Sequence, residues 1–196
     1  MAYEKLVLHP LNPRAILHDP HRLLDALRST GLIGSSFGRD GEVHYAPGPR
    51  FRELVRFRTP AGTPGRELHV SLSETSEEPA FLGATSAPPP LCRVCRGFFH
   101  DWRSQLASWR REMHRGRWTC PRCGRATEVH ELDWGHASGI ARYSLDLWGV
   151  RRDEADPSPE LLEVLKKVTL ETWLYFYYRL SMGPASASVR STAPSG

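Results

Sequence analysis

Long apolar runs, lysine and cysteine are all scarce in this 196-residue chain, and each shortage excludes something. No stretch reaches the roughly 18 apolar residues from which a membrane-spanning helix is read, so none is expected. The opening MAYEKLVLHPLNPRAIL lacks both the basic head and the continuous apolar core of a secretory leader, which points to a cytoplasmic protein. Lysine occurs three times against 23 arginines. Cysteine occurs four times, always between positions 92 and 123. In a reducing compartment such paired cysteines point to metal or redox chemistry rather than to disulfides. The sequence also has no G-x-x-x-x-G-K-[ST] or G-x-G-x-x-G phosphate loop.

What is present fits one domain of ordinary size, or a domain with a small module. Apolar residues make up 40% and charged residues 24%, as in a globular protein. The net charge of +4 is unevenly spread. From Cys92 to Arg125 nine arginines face only Asp101 and Glu112, a local balance of +7 that leaves −3 for the rest. That asymmetry hints at an anionic partner.

Along the chain, KLVLHP reads as a short strand. HDPHRLLDALRSTGLIGS reads as a helix with Asp19 as cap, Pro20 in the first turn and Gly31 as a left-handed stop; Leu23, Leu24 and Leu27 form its inner stripe. EVHYAPGPRFRELVRFRT gives two extended pieces broken at APGP. RELHVSLSE alternates as a half-buried strand, Leu68, Val70 and Leu72 inward and His69, Ser71 and Ser73 outward. ETSEEPAFLGATSAPPP, residues 74–90, reads as a connector ending in a stiff proline spacer. ARYSLDLWGV alternates again, with Ala141, Tyr143, Leu145 and Leu147 inward and Arg142, Ser144, Asp146 and Trp148 covering the outer face. DPSPELLEVLKKV opens a helix at Ser158 and Pro159, which TWLYFYYRL continues or follows as a buried segment. Residues 181–196 have the composition of a disordered tail.

The expected fold class is α+β. A mixed sheet with two or three packed helices is begun in residues 1–90, interrupted over 91–130 by a cysteine module with an inserted helix, and resumed over 131–180.

Inside the module, Cys92-x2-Cys95 and Cys120-x2-Cys123 are separated by 24 residues. Each C-x-x-C turn brings two thiolates together, and two turns supply the four soft ligands of a tetrahedral zinc site. Rubredoxin-type iron is the alternative with the same ligands. A thioredoxin-like dithiol would need one pair in a βαβ setting, not two pairs. Four cysteines close the coordination shell, so the expected zinc is structural; a catalytic zinc keeps a position open for water. The H-x-E and P-C-x-x-C pattern of zinc deaminases is absent. The CRVCRG and CPRCGR turns resemble zinc-ribbon, or rubredoxin-type, knuckles, and the resemblance covers residues 92–125 only. The wider layout, with DPHRLLDALRSTGLIG, YAPGPRF, the two C-x-x-C pairs and ARYSLDLWGV before SPELLEVL, is similar to uncharacterised conserved hypothetical bacterial proteins. That resemblance implies an architecture but no activity.

Phe99, Trp102, Leu106, Trp109 and Met113 recur at intervals of three and four, one stripe on a helix from Asp101 to His114 that ends at Gly116. This regular spacing favours packing of the module against the main domain over stacking on nucleic-acid bases. Arg103, Arg110, Arg111, Arg115 and Arg117, with Arg122 and Arg125 around the second knuckle, are the candidates for contacting a protein or nucleic-acid partner. The expected function is therefore that of a zinc-stabilised, non-enzymatic interaction protein. The alternative is a hydrolase-like enzyme with Asp133 and His136 as an acid–base pair near Glu128, His130 and Glu131. His130 or His136 replacing one cysteine at the metal is a further variant.

Overall fold

Strand β1 (Tyr3–Pro10) turns Leu6 and Leu8 to one face and Val7 and His9 to the other, and all four are buried, so the strand lies inside a sheet. The computed structural model describes residues 3–58, 67–84, 86–112, 116–152 and 154–180. After β1 come α1 (Pro20–Ser29), β2 (Ile33–Arg39), β3 (Glu42–Pro47), the one-turn α2 (Phe51–Leu54) and β4 (Val55–Phe57). β5 (His69–Leu72), β6 (Ala80–Phe81), α3 (Trp102–Arg111), β7 (Trp118–Thr119) and β8 (Ala126–Thr127) follow. β9 (Ile140–Ala141), β10 (Leu145–Trp148), β11 (Ala155–Pro157), α4 (Pro159–Thr169) and β12 (Trp173–Leu180) complete the described chain. The fold is mixed α+β, and the six-stranded sheet runs β12-β1-β10-β5-β3-β2 with antiparallel neighbours throughout. Among the described residues no helix is long and apolar enough to cross a membrane.

One face of the sheet is covered by α1 and α4. Leu6 and Leu8 of β1, Val70 of β5, and Leu145 and Leu147 of β10 form a common core with Leu23, Leu27, Leu161 and Leu165 of the helices. Both helices start as their cap chemistry dictates: Asp19 accepts the Arg22 N–H at 2.9 Å, Ser158 accepts the Leu161 N–H at 3.1 Å, and a proline follows each cap. α4 ends with Leu170 in the left-handed conformation, at φ 61°. Beyond this stop TWLYFYYRL does not continue the helix but forms the edge strand β12, paired with β1 along its whole length. Aromatic side chains fit a pleated surface well, and β1 offers a continuous ladder for them.

The other face departs from a simple polar exterior. His69 and Ser71, expected outward on a half-buried strand, are each only 5% exposed. Trp148 donates its indole N–H to Ser71 Oγ and stacks on His69, with centroids 5.6 Å apart and planes 9° from parallel. His69 meets His44 edge-on at 4.9 Å. Asp146 accepts from Ser144 and pairs with Lys5, so Ser144, Asp146 and Trp148 do cover this face, whereas Arg142 turns aside to the Ser76 carbonyl. Ser71 with Trp148, and Ser144 and Lys5 with Asp146, satisfy one another here, whereas His44 Nδ1 has no hydrogen-bond partner among the described residues.

A second core lies outside the sheet. Phe81, Phe99, Trp102, Leu106, Trp109, Trp118, Trp134 and Ile140 are buried together with Cys92 and Cys120. The helical stripe thus packs with Phe81, Trp134 and Ile140 from outside 91–130, in a core separate from the one under α1 and α4; its Met113 falls outside the described residues. Residues 74–90 are more than a connector, since β6 pairs with β9 and sends Phe81 into this core. The tail at 181–196 lies outside the described residues.

Burial holds the His9 and His69 rings below their ordinary value, against hydrogen bonds to the Pro10 and Glu67 carbonyls that act the other way. A histidine kept neutral by burial binds protons more readily unfolded than folded, so its stabilisation is present above 6.5 and lost as pH falls below that value. Urea melts between about pH 7.5 and about pH 5 should show falling stability, and His69→Gln should flatten part of the slope.

Candidate metal centre

The two cysteine turns are built alike. In the first, Cys92 N–H donates to the Gly97 carbonyl and Arg96 N–H to the Cys92 carbonyl; in the second, Cys120 N–H donates to Arg125 and Gly124 N–H to Cys120, all four at 2.9 Å. Each turn therefore needs a left-handed residue just after its second cysteine. Gly124 fills that place at φ 72° and Arg96 at φ 60°. The sequence difference CPRCG against CRVCRG has its explanation here: the first turn puts an arginine where the second has glycine. Its own glycine, Gly97, serves another purpose. A Cβ there would lie 2.8 Å from Arg122 Cβ and 3.3 Å from Cys95 Sγ, so only glycine lets the two turns close on each other. The Arg122 guanidinium then links them by donating to the Cys95 carbonyl at 3.0 Å.

This closure gathers the four sulfurs of Cys92, Cys95, Cys120 and Cys123 within 4.8 Å of one another. Cys92 and Cys123 are 4.0 Å apart and Cys95 and Cys120 3.6 Å. A metal about 2.3 Å from four tetrahedral sulfurs would hold them about 3.8 Å apart. The cluster is thus compatible with a tetracysteine metal site, and the four thiols are free of disulfides. The backbone already favours negative sulfur. N–H groups of Cys95 and Val94 lower the Cys92 thiol. Burial pushes Cys120 up, but N–H groups of Cys123 and Arg122 and the neighbouring thiols bring it down to about 7. Cys95 receives the Gly97 N–H, which lowers it, yet burial and the three other thiols push it up to about 11. Without a cation, then, the four do not ionise together; a bound cation would remove that conflict.

The centre is tied to the rest of the molecule through Asp133. Leu91, just before the first turn, exchanges two 2.9 Å backbone hydrogen bonds with it. The Asp133 carboxylate accepts from the Gly135 N–H at 2.9 Å and from the Arg96 guanidinium, and these two partners, in that order, lower its pKa. His136 sits over Tyr175, at 5.5 Å between ring centroids. Its ring nitrogen faces the Tyr175 carbonyl at 3.5 Å, so Asp133 and His136 do not form a hydrogen-bonded pair. His130 lies 3.5 Å from Glu128. Among the described residues the metal-holding cluster contains the four cysteines and neither histidine.

The candidate arginines are not one uniform patch. Arg103 lies 4.5 Å over the Trp102 ring and donates to the Ala87 carbonyl; Arg111 donates to Ser108. Arg110 and Arg117 are exposed, and Arg117 lines a shallow cleft of about 330 Å³ with Trp109 and Trp118. Arg115 is outside the described residues. What sequence reasoning missed is a larger cleft of about 450 Å³, between β12 and the 130–140 segment, that contains Asp133 and His136 together with His9 and Trp173. Its residues are spread over more than 160 positions, which no local motif reveals.

Gly97→Ala should weaken metal binding about tenfold or more, by forcing the turns apart. Arg96→Gly removes left-handed strain of about 1–2 kcal/mol along with an exposed ion pair worth about 1 kcal/mol at most, so affinity should stay within about threefold. Competition with a chromophoric chelator measures both. No protein-family model, curated protein or solved structure matches this chain, so the argument for function rests on this geometry.

Proposed function

We propose that the four cysteines hold one structural zinc ion and that the region it stabilises is a non-enzymatic interaction module for an anionic partner. The observation that carries the reading is the sulfur cluster, whose spacing suits a tetrahedral ion and whose four thiolates leave no place for a reacting water. Zinc is favoured over iron because a closed, structural role needs no redox change; iron would use the same ligands and colour the protein. The partner side rests on the +7 balance of residues 92–125 and on exposed Arg93, Arg110, Arg117 and Arg125. Val94 and Phe98 on the first turn, 60% and 50% exposed, add apolar points that favour an acidic protein surface over a nucleic acid.

Structural zinc contributes about 10–16 kcal/mol in small peptides, comparable to the whole stability of about 5–15 kcal/mol of a domain. Elemental analysis of the purified protein should find one zinc per chain. Its removal by a chelator should unfold the second core, read by the fluorescence of Trp102, Trp109, Trp118 and Trp134. Substoichiometric metal with four titrating thiols would overturn the metal reading.

A salt series with a generic oligonucleotide separates the partner classes. A partner that is protein predicts weak or absent binding; oligonucleotide affinity that falls at least about tenfold between about 50 and 200 mM salt would instead assign a nucleic acid.

A further inference from the structure

We propose that the 450 Å³ cleft between β12 and the 130–140 segment binds a flat aromatic molecule with an anionic group at one end and a hydrogen-bonding group at the other. The site uses none of the cysteines and needs no macromolecular partner, so it goes beyond the function proposed above. Its size falls within the roughly 300–1,000 Å³ of small-molecule sites. Its apolar lining includes Trp134, Ile140, Trp173, Leu174 and Tyr175.

Two polar groups in the lining are unaccounted for by the fold. Ser138 is only 5% exposed, and its hydroxyl has no hydrogen-bond partner. A buried hydroxyl is seldom left so, because the loss of its hydration goes uncompensated. His9 is equally buried, and its Nδ1 lies 2.9 Å from the Pro10 carbonyl, which fixes that nitrogen as the donor and leaves Nε2 an acceptor. A Cβ at Gly139 would lie 2.3 Å from Nε2, so only glycine fits against the His9 ring there. A ligand hydroxyl can donate to His9 Nε2, and a turn of the Ser138 side chain about its Cα–Cβ bond would let its buried hydroxyl donate to the same group.

The charge preference follows from the rim. Arg93, exposed on the first cysteine turn, lines the cleft together with His130 and His136. Among the described residues the single acid in the lining, Asp133, is already paired with Arg96 and accepts the Gly135 N–H. An anion therefore finds Arg93 beside an acid already held by Arg96 and the Gly135 N–H, whereas a ligand cation finds no free carboxylate among the described lining residues.

The test uses the full-length protein with its metal content counted beforehand. It titrates 6-hydroxy-2-naphthoate, uncharged 2-naphthol and 2-naphthylmethylammonium against the fluorescence of Trp134 and Trp173. The expected result is saturable quenching, with the hydroxynaphthoate bound about tenfold tighter than the ammonium compound. Arg93→Gln should weaken the hydroxynaphthoate about three- to tenfold and leave 2-naphthol unchanged. Leu174→Trp, at a 40% exposed strand position that tolerates aromatics, should narrow the cleft and weaken every probe. Three results overturn the proposal: no saturable quenching by metal-loaded protein, quenching indifferent to Leu174→Trp, or hydroxynaphthoate binding indifferent to Arg93→Gln. The metal count, read separately on the same sample, reports on the zinc reading alone.

Discussion

Four sulfur atoms within 4.8 Å of one another are the constraint on which the cysteine region depends. Thiols so close cannot all ionise, and thiols that remain protonated gain little from one another. Backbone N–H groups reduce the difficulty for Cys92 and Cys120 without removing it for Cys95. A single cation at their centre resolves it, and the rest of the region is arranged as though one were there. Gly97 gives up its side chain so that the turns can meet, Arg96 accepts a strained backbone, and Arg122 crosses from one turn to the other.

From there a chain of hydrogen bonds leads to the sheet. Arg96 holds Asp133, Asp133 holds the Gly135 N–H, and the His136 carbonyl receives the Tyr177 N–H from the free edge of β12 at 3.2 Å. The same turn that is bonded to the first cysteine turn thus covers part of a strand edge, which would otherwise invite pairing with another chain. It also forms one wall of the large cleft. Centre, sheet edge and cleft are therefore joined by one run of hydrogen bonds, although their residues do different chemistry.

How much of this was legible depended on how local the determining physics is. Asp19 with Pro20 and Ser158 with Pro159 announced their helices because a cap acts within three residues. The paired cysteines announced a cluster that could hold a metal because ligand spacing is local within each turn. TWLYFYYRL stayed ambiguous between helix and strand because its dense aromatics show no period; pairing with β1, about 170 positions away, decides it. His69 and Ser71 looked like a solvated face because their partners Trp148 and His44 arrive from other strands. The two-residue strand β6 carries no pattern of its own and exists because β9 pairs with it. Asp133 and His136 are near in sequence and share the cleft, yet the carboxylate is drawn to Arg96, whose left-handed turn could not be foreseen from composition.

Cobalt substitution tests the central claim most directly. Apo-protein titrated with cobalt(II) should saturate at one equivalent and develop the intense thiolate-to-metal charge-transfer bands and strong visible bands of a tetrahedral, all-sulfur site. Serine at any one of the four cysteines should change that spectrum. A weak octahedral spectrum, or one that survives the loss of a cysteine, would contradict a closed four-sulfur centre and the architecture built upon it.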